Sequence, residues 1–296
     1  MGERDLLHLT SVIFATDFSD FSRNAGFYAA HLAKYFSAQL LVAHAFTLSQ
    51  AAMDVEAEHA IESQQRKDLL SELSQISHDL ANSSGGASPL LLEGDPKDVL
   101  PALGDQNQPS IIVLGTHGGG WIERECIGSV AERVLRSSRW PCVTVGPQVQ
   151  SVTPKSFPFR RILYATDFTR AAAQAAQYAF LFAKAMNAEM DVVHVVQHGD
   201  ADDPKRLSNL QESFRKSLEE SSFDGEAESF SSRAFVPVGN AHREILRHIR
   251  EHSIDLLVLG IENSSHLGLQ MRTSGAFQLI VDAQCPVLTM TGCRVD

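Results

Sequence analysis

No run of apolar residues in this 296-residue chain approaches the roughly 20 needed to cross a bilayer. The opening stretch, MGERDLLHLT, has acidic residues and no apolar core, so it does not read as a secretory leader. Residue 6 is leucine, where a myristoylation signal needs serine or threonine. Cysteine is scarce. Cys126, Cys142, Cys285 and Cys293 form no CxxC pair, which speaks against a disulfide framework and fits reduced thiols in a cytoplasmic protein. Basic charge is short as well, 25 Lys+Arg against 36 Asp+Glu, a net −11. That balance argues against nucleic acid or a membrane surface as partner. Also missing are the P-loop pattern GxxxxGK[ST] and the nucleophile elbow GxSxG.

What the chain does contain, it contains twice. FATDFS at 14–19 returns as YATDFT at 164–169, and at the same offset of 150 Lys34 matches Lys184 and His44 matches His194. Further on, IIVLG at 111–115 matches LLVLG at 256–260 and PCVTV at 141–145 matches PVLTM at 286–290, an offset of 145. The first copy therefore holds five extra residues between about 47 and 90. The expected layout is one domain over 1–147, a proline-bearing linker over 148–158, and a second domain over 159–296.

Apolar runs and helical spacings alternate within each copy. Strands are expected at Ser11–Thr16, Leu40–Ala45, Pro89–Leu92, Ile111–Leu114 and Cys142–Val145. Helices are expected at Ser22–Phe36, Val55–Leu80, Pro96–Leu103 and Ser129–Leu135. Strands joined by helices give an α/β fold with a parallel sheet covered on both faces. Ligands of such sheets sit beyond the carboxyl ends of the strands, where the strand order reverses.

The stretch GTHGGGWIERECIGS (115–129) follows one of those strands and precedes a helix. It misses the GxGxxG fingerprint, because Glu123 stands where a third glycine belongs. Gly115 and Gly118 at one end and Gly128 and Ser129 at the other let backbone approach an anion, with a helix N-terminus aimed at it. A plainer reading competes: Ser129-Val130-Ala131-Glu132 has the form of a capping box, and Gly115 then only ends a strand.

GxxG, nine residues, then GS, in a domain that opens with IFATDFS and closes with PCVTVG, resembles the nucleotide-binding universal stress protein family. The resemblance runs over nearly the whole chain, as a tandem pair. It implies Rossmann-like domains, each with a five-stranded parallel sheet in the order 3-2-1-4-5 sandwiched by helices. It also implies a site for ATP or AMP, with or without Mg2+. Carried over by residue, Thr16 and Asp17 would meet the adenosine, Ala45 would line the adenine pocket, and Gly115, His117, Gly118, Gly128 and Ser129 would wrap ribose and phosphates. Asp17 equally fits a turn carboxylate, Thr16 a strand end, and His117 an exposed loop residue. In the second copy the matching positions are Asp167, Val195, Gly260, Asn263, Thr273 and Ser274, with Glu262 beside the phosphate position. Two glycines are gone there, so one nucleotide per chain is expected. The resemblance further implies pairing of the two domains through their last strands and leaves a homodimer open.

This reading makes the chain a nucleotide-dependent stress-response protein. Catalysis is not assigned: no general base stands out and the loop has no lysine, so any ATP hydrolysis would be slow. A structural interaction module that binds no nucleotide is the alternative, and SSGGAS (83–88) only faintly echoes an adenylating enzyme's loop. Among other motifs, His44 and His194 read as hydrogen-bonded core residues. Cys126, beside Arg124, has a neighbour that favours a thiolate. His248-Ile249-Arg250-Glu251-His252 has the HxxEH spacing of metal ligands, but no third ligand can be singled out from sequence. It reads as the solvated face of a short helix, and no metal is expected.

Overall fold

The computed structural model describes residues 8–47, 55–117, 127–151, 157–197, 208–209, 212, 232–262 and 275–292. They group into two compact units, one drawn from residues 8–145 and the other chiefly from 146–292.

The first unit alternates β1 (Ser11–Ala15), α1 (Asp20–Phe36), β2 (Gln39–Phe46), α2 (Val55–Ser84), β3 (Ala87–Glu93), α3 (Pro96–Gln106), β4 (Ser110–Gly115), α4 (Ser129–Ser137) and β5 (Cys142–Val145). All pairings are parallel, in the order β3-β2-β1-β4-β5. Central strands carry unbroken apolar runs because helices cover both faces: Val12, Ile13, Ile111, Ile112 and Val113 are wholly buried. Helix α1 buries Ala25, Ala29, Leu32 and Ala33, and the alanines among them let its axis pack close. It starts at the Ser19 cap, which accepts from Ser22 N, and stops at Ser37 in the left-handed conformation. The polar helix α2 runs past the expected Leu80 to Ser84, and its far half buries Leu73, Ser77, Leu80 and Ser84.

The second unit repeats the plan with β6 (Arg161–Ala165), α5 (Arg170–Met186), β7 (Glu189–Val193), β8 (Ser232–Phe235), α6 (Ala241–His252), β9 (Leu256–Ile261), α7 (Gly275–Asp282) and β10 (Val287–Thr291). Its order is β8-β7-β6-β9-β10, again 3-2-1-4-5 and parallel. Thr169 caps α5 as Ser19 caps α1, and Asn187 ends it as Ser37 does. In each unit the order reverses between the first and fourth strands, which leaves a crevice beyond their carboxyl ends.

Candidate functional site

In the first unit that crevice is a cleft of about 130 Å³. Strand β1 delivers Thr16 and Asp17, β2 delivers His44 and Ala45, and β4 delivers Gly115 and His117. Gly128, Val130 and Ala131 at the head of α4 close one side, and Pro96 and Leu100 of α3 another. Six of the eight residues expected here thus line one cleft: Thr16, Asp17, Ala45, Gly115, His117 and Gly128. Ser129 is the first residue of α4, next to the lining. Gly118 lies outside the described residues, as does Cys126.

The turn after β1 is built by its own side chains. Thr16 Oγ1 lies 3.0 Å from Ser22 Oγ and accepts from Phe18 N at 3.0 Å. Asp17 Oδ1 accepts from Ser19 N at 3.1 Å and from Ser19 Oγ at 2.6 Å. Both the turn reading of Asp17 and its place on the cleft wall therefore hold. Phe18 is pinned at φ 66, a region costly for a side-chain-bearing residue, with its ring centroid 4.3 Å from that of His44. His44 Nδ1 is 2.8 Å from the Thr16 carbonyl oxygen. This matches the hydrogen-bonded histidine expected from sequence, although His44 is half-buried and faces the cleft rather than the core.

At the glycine end one expectation is corrected. The cap of α4 is Gly128, without a side-chain hydrogen bond, and Ser129 is already helical, so no capping box forms. Glu132, the residue that would complete that box, pairs instead with Arg136 at 3.0 Å. Among the described residues, the first N–H groups of α4 consequently have no side-chain cap. Gly128 N donates to the Thr116 carbonyl oxygen at 2.7 Å, and a Cβ on Gly128 would lie 3.1 Å from that oxygen. Glycine is thus favoured by contact at this position. The rim has a further tie that sequence reasoning missed. Asp95 caps α3, accepting from Lys97 N at 3.1 Å, and also accepts from Arg133 of α4 at 3.1 Å. The signal for it lies in Asp95-Pro96, an N-cap followed by proline at the first helical position.

The second unit keeps the turn and alters the crevice. Asp167 Oδ1 accepts from Thr169 N at 3.0 Å and Thr169 Oγ1 at 2.6 Å, Phe168 has φ 62, and His194 Nδ1 is 2.9 Å from the Thr166 carbonyl oxygen. Val195 is half-buried. The difference lies at Gly260. A Cβ there would stand 2.3 Å from the Ala171 carbonyl carbon and the Ala172 nitrogen, against 3.3 Å from Ser22 Cα at the equivalent Gly115. The first turn of α5 thus presses about 1 Å closer to its strand than that of α1 does. Glu262 Oε1 approaches Ala171 N of that same turn at 3.5 Å. Asn263, Thr273 and Ser274 lie outside the described residues.

The HxxEH segment also departs from expectation. His248 is buried rather than solvated, and its Nε2 lies 2.7 Å from Oδ2 of Asp191 on β7.

Two copies of a 3-2-1-4-5 parallel sheet, one with a glycine-edged cleft at its switch point, define a duplicated doubly wound α/β protein. Comparison narrows this: the sequence model of the Universal stress protein family matches residues 9–146 and 158–290, and the chain belongs to that family. It is similar to universal stress protein Slr1230 of Synechocystis sp., 25% identical over 95% of this chain and 99% of that protein. Universal stress protein MJ0531 of Methanocaldococcus jannaschii is 28% identical over 45% of this chain and 80% of its own. A universal stress protein structure from Archaeoglobus fulgidus, 20% identical, covers 97% of this chain and 100% of its own with a TM-score of 0.72. No helix among the described residues is long and apolar enough to cross a membrane.

Proposed function

We propose that the first unit binds one adenine nucleotide, ATP or AMP, and that the second does not bind it in the same way. The observation that carries this reading is the pairing of an α4 N-terminus that no described side chain caps with a Gly128 that adjoining backbone keeps small, at the rim of the switch-point cleft. Free N–H groups and the positive end of a helix dipole favour a phosphate without any lysine. The deeper walls suit a flat apolar ring with a polar edge: Ala43, Ala45, Leu100 and Leu114 are apolar, and Asp17 offers an acceptor to a ribose hydroxyl or amine. Asp17 is the one carboxylate among the described lining residues, so Mg2+ in this reading arrives with the phosphates rather than in a site of its own.

In the second unit the closer α5 turn narrows the ground where Gly260 faces its helix, and the Glu262 carboxylate opposes an anion there. Occupancy of the first unit would act as a signal in a cytoplasmic stress response, read by a protein partner. The test is direct. The purified chain is heat-denatured and the released small molecules are identified by mass spectrometry. An adenine nucleotide is expected. Its absence, together with no heat of binding for ATP, AMP or cyclic AMP, would leave the chain as an interaction module only.

A further inference from the structure

Asp191, His248 and His252 converge in the second unit. Asp191 sits in the middle of β7 and is 2% exposed. Arg233, opposite it on β8, donates Nε to Asp191 Oδ1 at 2.8 Å. His248 Nε2 lies 2.7 Å from the other carboxylate oxygen. His252, one helical turn on, stacks against His248 with centroids 4.1 Å apart and planes 27° from parallel. Phe235 packs edge-on to His248 with centroids 4.5 Å apart and supplies an apolar wall. One ligand atom from each of the three residues lies within 4.8 Å of the others.

The first copy shows that the fold does not require this arrangement. By the repeat, Asp191, Arg233 and His248 correspond to Leu41, Ser88 and Leu103, and the two leucines are buried. Buried leucines at these positions remove no charge from water. A buried carboxylate must recover its lost hydration through partners, and an apolar replacement is often no worse for stability. Where the first copy buries leucines, the second buries a carboxylate and an imidazole, side chains with ligand chemistry.

We propose that Asp191, His248 and His252 form a binding site for a divalent transition-metal ion of the Zn2+ type. Two imidazoles and a carboxylate are the donor set such ions take, and the i,i+4 spacing puts both imidazoles on one side of α6. Arg233 engages Oδ1 and fixes the carboxylate plane, which leaves Oδ2 turned to the histidines as the ligand atom. Tetrahedral coordination with bonds of about 2.0–2.1 Å sets ligand atoms about 3.3 Å apart. His248 and Asp191 need to part by roughly half an ångström, and His252 needs to close by more, both within reach of side-chain rotation. Metal-bound His248 is a neutral imidazole with its hydrogen on Nδ1, so the ion takes the place of the hydrogen now held between Nε2 and Asp191.

Co2+ added alone to the full-length, metal-stripped chain tests this, because tetrahedral Co2+ absorbs strongly in the visible and octahedral Co2+ does not. One strongly absorbing Co2+ per chain is expected, displaced by Zn2+. His252→Gln, at a half-buried position, should weaken Co2+ binding at least tenfold with far-UV circular dichroism unchanged. The triple change Asp191→Leu, Arg233→Ser, His248→Leu restores the first copy's residues and should fold while losing the absorption altogether. The chain has 12 histidines, so the variants locate the ion. No strong absorption in the parent chain, or absorption that survives both variants, would show that the cluster is a buried ion pair and nothing more.

Discussion

Gly128→Val is the sharpest probe of the cleft. Gly128 has φ −61 and ψ 144, an extended conformation any residue adopts, so the change adds no backbone strain. The new Cβ would lie 3.1 Å from the Thr116 carbonyl oxygen, which the Gly128 N–H already holds at 2.7 Å. A shift of a few tenths of an ångström at the rim relieves the contact, and overpacking of this kind costs about 1 kcal/mol. Ligand affinity should suffer more. The branched side chain stands over the first N–H groups of α4, and losing one charge-assisted bond of about 2 kcal/mol weakens binding roughly thirtyfold. Calorimetry with ATP on the parent and variant chains measures this, with urea unfolding monitored alongside. A variant that binds as tightly as the parent would refute a phosphate at the α4 N-terminus.

Four further outcomes follow from the same geometry. Gly260→Ala should destabilise its unit by about 1–3 kcal/mol in urea unfolding. The added carbon there meets α5 backbone at 2.3 Å, whereas the looser contact at Gly115 should make Gly115→Ala the milder change. Asp17→Ala and Asp167→Ala remove matching turn bonds and should cost similar stability, about 1 kcal/mol each, yet only Asp17→Ala should weaken nucleotide binding. Bonds from Lys97, its backbone N–H foremost, hold the Asp95 carboxyl below its ordinary 3.8, so its stabilising effect is present above that pH and fades as pH falls through the lower folded value. Asp95→Asn should accordingly be less stable than the parent at neutral pH and converge with it in strong acid, as read from unfolding curves. Burial pushes the Cys142 and Cys285 thiols up to about 12, so neither should react with iodoacetamide in the native chain, and both should in urea.

The fold was largely legible because duplication and parallel topology leave local marks. Apolar runs such as Ile111–Leu114 and caps such as Ser19 and Thr169 announce their elements within a few residues. The order of the strands came through resemblance to a family, since no local spacing encodes which strand neighbours which. At the site, Thr16, Asp17, Ala45, Gly115, His117 and Gly128 line one cleft. Ser129 departs because SxxE is ambiguous by one residue: Gly128 takes the cap and Glu132 turns to Arg136. The Gly260 contact is invisible in sequence because a difference of about 1 Å in helix approach leaves no mark in composition. His248 reads as part of a solvated face because its partner, Asp191, is 57 positions away on a neighbouring strand. Helical spacing shows which residues share a face and says nothing about what that face meets.

One adenine nucleotide per chain is proposed at the glycine-edged cleft of the first unit. Titration calorimetry of the full-length, nucleotide-free chain with ATP tests it most directly. A stoichiometry of about one is expected, at a site that Gly128→Val weakens roughly thirtyfold. A stoichiometry of two, or of one unaffected by Gly128→Val, would contradict it.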